Sequence, residues 1–219
     1  MQKSVLIGMP CLDSIKVNTV SSLFEAINEI DYPAKLHLYS TSLTHDSRNK
    51  IAQEALDKGF SHLLFIDSDM VFEHDAIKRI LEHDDKEIVA GLYYRRYSPH
   101  QPNITMVRGK KLYIPQTFPK KQPFTVFGVG TGFMLIKSEV FKKIKPPWFN
   151  FISFHGQQMG EDISFCHKAN QRKIKVWCDP SIYLGHVGEY VYDEKDYQAY
   201  QATRPDTSEQ LLEDVWSEI

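Results

Sequence analysis

His62-Leu63-Leu64-Phe65-Ile66-Asp67-Ser68-Asp69-Met70 joins an apolar run to a pair of acidic residues. A short, continuous apolar run suits a strand covered on both faces, as in a parallel sheet. Two carboxylates follow at once, two residues apart, and in an extended segment both face the same side. The run is flanked by helical patterns. Upstream, Ile51, Ala52, Ala55 and Leu56 mark a helix that Gly59 is placed to end, because glycine takes the left-handed conformation without penalty. Downstream, Ala76, Ile77, Ile80 and Leu81 mark another, with Glu73 and Asp75 near its positive end.

The same alternation extends outward. Val5 to Met9 is a second buried apolar run, stopped by Pro10. Val17, Val20, Leu23, Phe24, Ile27 and Ile30 recur at helical spacing and predict an amphipathic helix over 17–30. Lys35 to Tyr39 and Glu87 to Tyr94 read as further strands. Strands alternating with helices predict an α/β fold, a mostly parallel central sheet flanked by helices, and such sheets bind ligands beyond the carboxyl ends of their strands. The residues just after Met9, Tyr39, Ile66 and Tyr94 are therefore where chemistry is expected.

The second half is less regular. Ile104–Val107 and Lys111–Ile114 read as a hairpin turning at Arg108-Gly109-Lys110. Phe133 to Ile136 is strand-like, with Ser138 a candidate cap for a short helix. Glu161 to Gln171 reads as a helix, and Ile174–Cys178 and Ile182–Leu184 as strands. Leu211, Leu212, Val215, Trp216 and Ile219 share one helical face at the C-terminus. That face calls for a docking surface: this domain, a second copy in a homodimer, or an adjoining domain.

Composition narrows the classes of function. At 42% hydrophobic and 25% charged, the 219 residues are ordinary globular material and not a disordered chain. Lys and Arg number 26 against 28 Asp and Glu, so the net charge of −2 points to neither nucleic acid nor an anionic membrane as partner. No apolar run approaches a membrane span, and Met1-Gln2-Lys3-Ser4 leads into too short a run for a signal peptide. Cys11, Cys166 and Cys178 form no disulfide framework. The expectation is a soluble cytoplasmic protein with reduced thiols.

Seven groups of residues carry candidate chemistry. Asp67-Ser68-Asp69 offers hard oxygen ligands for Mg²⁺ or Mn²⁺ carrying a diphosphate, or simply caps the next helix. Glu161-Asp162, at a helix start, supplies either a general base or dipole stabilisation. His186, close to Gly185 and Gly188, is a nitrogen ligand or a structural histidine. Arg48 with Asn49 opens a helix and is either a phosphate contact or a solvated charge. Gly128-Val129-Gly130-Thr131-Gly132-Phe133 lacks the dinucleotide register, so its glycines are read as permitting close backbone approach to a ligand. Trp148, Phe149, Phe151 and Phe154, with His155, form either a sugar-stacking surface or a hydrophobic cluster. Arg95, Arg96, Lys110, Lys111, Lys120 and Lys121 read first as scattered solvated charge, otherwise as contacts to an anionic acceptor.

Taken together, Val5–Pro10, Ser47-Arg48-Asn49, Leu64–Asp69, Gly130–Phe133, Gly160-Glu161-Asp162 and Gly185-His186 make the chain resemble a GT-A fold glycosyltransferase of the family 2 type. The narrower likeness is to compact single-domain members found in phages and large DNA viruses. The resemblance implies a GT-A domain over 1–190, with a nucleotide-binding half over about 1–94 and an acceptor-side half over about 95–190, then a helical extension over 191–219. It implies Mn²⁺ or Mg²⁺ held directly by Asp69 and further by His186, with Asp67 reaching the ribose or the metal through water. It places Pro10, Arg48, Asp67, Ser68 and Asp69 at the donor. Asp162 would be the base of an inverting enzyme, beside Glu161, with Gly132, Trp148 and His155 on the acceptor side.

The implied reaction moves a sugar from a nucleotide-diphosphate donor, UDP favoured, to a hydroxyl of a glycan or other acceptor. Tyr39-Ser40-Thr41-Ser42 departs from the Asp-Asp-Gly-Ser-like segment that reads the base in many members, so the base is open. The rivals are a retaining transferase, a nucleotidyltransferase, and a non-catalytic binding module for nucleotide-sugar or carbohydrate. Met9-Pro10-Cys11-Leu12-Asp13 lacks the Gly-rich basic loop that a nucleotidyltransferase needs.

Overall fold

The computed structural model describes residues 3–97 and 99–189, together with Glu194 and Gln198. The chain divides into a unit spanning Met1–Val187 and another spanning Gly188–Ile219. The expected C-terminal amphipathic helix lies outside the described residues.

The first unit opens with β1 (Val5–Cys11), α1 (Val17–Ile27), β2 (Ala34–Ser40), α2 (Thr44–Asp57), β3 (His62–Ile66), β4 (Met70–Phe72), α3 (Ala76–Leu81) and β5 (Ile88–Gly91). It continues with β6 (Ile104–Arg108), β7 (Lys111–Tyr113), β8 (Phe124–Val126), β9 (Gly128–Val129), β10 (Phe133–Lys137) and α4 (Glu139–Lys143). β11 (Ile152–Phe154), β12 (Gln157–Met159), α5 (Glu161–Gln171), β13 (Val176–Asp179) and β14 (Leu184–His186) complete it.

Seven strands form the central sheet in the order β2-β1-β3-β10-β5-β13-β8. β1 pairs in parallel with both β2 and β3, and β5 with β13. β10 runs antiparallel between β3 and β5, and β8 is an antiparallel edge. The sheet is thus mostly parallel, in a GT-A-like α/β architecture. β5 does not lie beside β3; β10 separates them.

Alternate side chains go to opposite faces. Leu6, Leu63, Phe65, Ile88 and Met134 pack under α2 and α5 with Ile51, Ala55 and Phe165. Val5, Ile7, Leu64, Ile66, Val89 and Phe133 pack under α1 and α3 with Leu23, Ala26 and Ile77. Apolar residues on both parities make these strands continuous runs. Gly59 (φ +70°) ends α2 in a Schellman arrangement: the Gly59 N–H donates to Leu56 and the Phe60 N–H to Ala55. β6 and β7 form the expected hairpin, with Gly109 at φ +59°. Ser138 stands at the N-cap of α4, but its hydroxyl makes no capping bond.

Helix α1 presents a face that periodicity does not predict. Val17, Val20 and Phe24 are exposed, whereas Thr19 and Ser22 are buried beside Leu23 and Ala26. The reason is local hydrogen bonding. The Thr19 hydroxyl donates to the Ser68 carbonyl (3.1 Å), and the Phe72 N–H donates to the Ser22 hydroxyl (3.1 Å). The Lys16 N–H also donates to the Ser68 carbonyl (2.9 Å). Polar backbone just after β3 must be satisfied when covered, and two small hydroxyl side chains do this where valine cannot.

Candidate active site

The order β2-β1-β3 reverses the direction of chain winding at β1, and a crevice opens beyond the carboxyl ends of β1 and β3. Pro10 and Cys11 reach it from β1, and Asp67-Ser68-Asp69 from β3. It has two lobes. One, of about 480 Å³, is lined by Pro10, Cys11, Leu12, Thr41, Ser42, Arg48, Asp67, Ser68 and Asp69 among others. The other, of about 520 Å³, is lined by Arg95, Tyr97, Asn103, Tyr113, Gln157 and Gly160 among others. Tyr93, Arg96, Asp162 and His186 line both.

Arg48 sits beneath the first lobe, only 4% exposed. Its Nη2 donates to both carboxylate oxygens of Asp67 (2.9 and 3.1 Å), and its Nη1 to Glu161 Oε1. Burial alone would favour its neutral form, yet the carboxylates of Asp67, Glu161 and Asp162 outweigh that and hold it more firmly charged than usual. The sequence reading offered this guanidinium to a diphosphate; both its terminal nitrogens are instead engaged by carboxylates. It joins the end of β3 to the start of α5, where Glu161 lies 113 residues further along the chain than Arg48 itself. Its neighbour Asn49 acts likewise, donating to the Phe149 carbonyl (2.7 Å) and accepting from the Phe149 N–H (3.0 Å).

Asp69 and His186 face one another because β14 pairs antiparallel with β4, placing His186 opposite Met70. His186 Nε2 lies 3.3 Å from Asp69 Oδ2, and Arg96 Nη1 lies 2.5 Å from the same oxygen. Burial works against ionisation of Asp69, but the hydrogen bond and charge of His186 and the charge of Arg96 hold its carboxyl below the usual range. The bond to Asp69 raises His186, despite opposing burial. His186 Nδ1 lies 3.0 Å from the Tyr94 carbonyl, which assigns a proton to Nδ1 and leaves Nε2 toward Asp69.

Among the described residues no three His, Cys, Asp or Glu side chains gather into a preformed metal cage. Asp69 and His186 instead offer one oxygen and one nitrogen on one side of the crevice, with Arg96 bound there. One carboxylate oxygen and one imidazole nitrogen form a donor set compatible with Mg²⁺ or Mn²⁺. Asp67 lines the same lobe with its side chain 26% exposed, and each of its oxygens accepts one bond from Arg48.

Asp162, in the first turn of α5, is half-buried where the lobes meet. Its Oδ1 accepts the Ile163 N–H at 2.7 Å. Burial first, then the charge of Glu161, pushes its carboxyl up to about 6, against the opposing charge of Arg48. The Glu161-Asp162 pair therefore divides: Glu161 is tied to Arg48, and Asp162 faces both lobes.

Tyr93 lies at the floor of both lobes, and no motif marks it. Its hydroxyl accepts the Gly132 N–H (3.2 Å), and the Gly132 carbonyl accepts the Asp67 N–H (2.9 Å). A Cβ on Gly130 would lie 2.3 Å from the Tyr93 hydroxyl oxygen, and one on Gly132 2.9 Å from it. Both glycines admit the tyrosine ring; Gly130 also lines the second lobe, whereas Gly132 lines neither. Nor does Trp148, a core residue whose indole N–H lies 2.9 Å from both the Phe141 and Ile144 carbonyls. His155 is exposed at the turn between β11 and β12 (φ +48°) and also lines neither lobe. The signal for Tyr93 and Arg96 was positional, since both follow β5 at the carboxyl edge of the sheet.

The sequence matches no family model and no curated protein. Solved structures share its fold. The crystal structure of A197 from STIV aligns with a TM-score of 0.60 and 21% identity, over 85% of this chain and 86% of that one. S. aureus TarS 1–349 in complex with UDP-GlcNAc aligns with a TM-score of 0.52 and 16% identity, over 91% of this chain and 65% of that one. TarS 1–349 without that ligand aligns with a TM-score of 0.50 and 14% identity, over 84% of this chain and 60% of that one. These likenesses establish a GT-A-like fold. Among the described residues no helix is long and apolar enough to cross a membrane.

Proposed function

We propose that the chain is a metal-dependent glycosyltransferase that moves a sugar from a nucleotide-diphosphate donor, UDP favoured, to an acceptor hydroxyl on a glycan, with inversion. The observation that carries this reading is the position of Asp162: one carboxylate, raised to about 6, at the junction of two lobes. The lobe containing Pro10, Cys11 and Asp69 is the donor side, and the lobe containing Asn103, Tyr113 and Gln157 the acceptor side. The UDP-GlcNAc complex of the TarS fold neighbour supports a nucleotide-sugar as the donor class.

In this mechanism Asp162 takes the proton of the acceptor hydroxyl. The oxygen attacks the anomeric carbon from the face opposite the diphosphate, and the bond to the diphosphate oxygen breaks. Asp69 and His186 would hold Mn²⁺ or Mg²⁺, which would supply Lewis-acid charge for the leaving diphosphate. Arg96, which lines both lobes at 49% side-chain exposure, exchanges its bond to Asp69 for the diphosphate when the donor binds, whereas Arg48 stays buried between Asp67 and Glu161. Arg48 and Tyr93 position the carboxylate-bearing segments. Thr41 and Ser42, with Pro10 and Cys11, lie where the nucleoside would rest.

Asp162→Asn removes the base while keeping the side-chain size. It is expected to lower transfer at least a hundredfold with donor affinity unchanged, and the wild-type product is expected to have inverted anomeric configuration. Retention of configuration, or undiminished transfer by the variant, contradicts the assignment.

A further inference from the structure

The acceptor-side lobe has a charge pattern that its role in transfer does not require. Its walls are two hairpins, β6–β7 and β11–β12, tied together where the Leu112 N–H donates to Gln157 Oε1 (3.0 Å). Tyr97 and Tyr113 give it exposed aromatic rings, and Asn103, Gln157 and Gln158 give it amides. Rings and amides suit a carbohydrate, since an apolar ring face can stack while hydroxyls find donors and acceptors.

Two guanidinium groups also line this lobe, against one carboxylate, Asp162. Arg96 is paired with Asp69. Arg95 is not paired: its only side-chain hydrogen bond among the described residues is a long one, 3.4 Å, to Gln101 Oε1, and it makes no ion pair there. Arg95 is also held in place. Its N–H donates to the Gln101 carbonyl (2.9 Å), and its own carbonyl lies 3.0 Å from His100 Nδ1. A half-buried guanidinium on a fixed backbone, facing a concave lobe without a carboxylate partner, is compensated best by an anion brought by the ligand. Lys110, Lys111, Lys120 and Lys121 are exposed and line neither lobe, so the structure reduces that basic set to this one position.

We propose that the acceptor is an anionic carbohydrate, a sugar or polyol bearing a carboxylate or phosphate, and that Arg95 reads that group. The inference rests on the assignment of this lobe to the acceptor, and it goes beyond it by naming the acceptor's charge. Nucleic acid is the less favoured polyanion, because the chain carries net charge −2 and the lobe holds a single unpaired cation.

The test measures binding of four probes by titration calorimetry, each to the full chain with UDP and Mn²⁺ present. They are an oligogalacturonate, a glycerol-phosphate oligomer, a neutral maltooligosaccharide of matched length, and oligothymidylate. At least one anionic carbohydrate is expected to bind about tenfold or more tighter than the neutral one, the loss typical of one charge-assisted bond. Whichever of the two leads identifies carboxylate or phosphate. Arg95→Gln is expected to erase that preference and Arg95→Lys to keep most of it, both with unchanged affinity for UDP and Mn²⁺. Equal binding of the neutral probe, no binding of either anionic carbohydrate, tightest binding of oligothymidylate, or a preference that survives Arg95→Gln overturns the proposal. Failure of UDP and Mn²⁺ to bind the wild-type chain would instead strike the underlying transferase reading.

Discussion

Replacing Arg48 with Met removes one charge and leaves two carboxylates without their partner. Methionine fills the space of the aliphatic stem, so the loss is electrostatic and not a cavity. Arg48 is 4% exposed, and its guanidinium holds Asp67 through two bonds of 2.9 and 3.1 Å and Glu161 through another. Removing one member of a buried ion pair costs about 3–5 kcal/mol, mainly because the other charge stays buried. The Asp67 and Glu161 side chains keep 26% and 17% exposure, so water recovers part of that cost. The lower end, about 3 kcal/mol, is therefore expected, a large share of the roughly 5–15 kcal/mol that stabilises a domain.

Urea unfolding followed by circular dichroism reads this as a shift in midpoint with an unchanged slope. In the double variant Arg48→Met with Glu161→Gln, one orphaned carboxylate is neutralised, and at least about 1 kcal/mol should return. A loss below about 1 kcal/mol in the single variant, or no recovery in the double, refutes the view that Arg48 clamps the two carboxylate-bearing segments.

Three further outcomes follow from the same geometry. Asp162 must be ionised to accept a proton and its carboxyl is raised to about 6, so kcat/KM should climb about tenfold per pH unit below that value and level off above it. A profile flat from about pH 5 to 8 contradicts the base assignment. Cys11 is half-exposed in the donor lobe, whereas Cys166 and Cys178 are buried, with burial pushing Cys166 up to about 12 and Cys178 also upward. A thiol-disulfide reagent should therefore titrate one thiol in the folded chain and three in denaturant, and UDP with Mn²⁺ should slow the first; three thiols reacting in the folded chain, or no protection, would count against it. Gly130→Ala drives a methyl group to 2.3 Å from the Tyr93 hydroxyl oxygen and should cost about 1–3 kcal/mol, with Tyr93→Phe restoring part of it; no recovery on thermal unfolding rejects the contact as the cause.

What could be read in the sequence was whatever local physics fixes. β1 and β3 stand out as apolar runs because both faces of the sheet are covered, and the same rule pointed to the edge where Asp67 and Asp69 emerge. Gly59 gave the end of α2 through its positive φ. What could not be read depended on distant partners. Phe133–Lys137 is strand-like in sequence, but nothing local says that it enters antiparallel between β3 and β5. The buried face of α1 was misjudged because apolar periodicity ignores the hydrogen bonds that draw Thr19 and Ser22 inward. Arg48 reads as a phosphate contact or a solvated charge, and nothing local shows that it meets Asp67 and, 113 residues away, Glu161. His186 meets Asp69 only through the pairing of two three-residue strands.

The central claim is a metal-dependent donor site built on Asp69 and His186, and melting temperature tests it directly. The wild-type chain, Asp69→Asn and His186→Gln would each be heated with UDP, with Mn²⁺, with both, and with UDP in EDTA. At about a hundred times the dissociation constant, binding stabilises by about 2.7 kcal/mol, which for a chain of this size is roughly 5–10 °C. The account predicts that shift for the wild-type chain with UDP and Mn²⁺ together, little with either alone, and its loss in both variants. An equal shift in EDTA, or an undiminished shift in the variants, would contradict it.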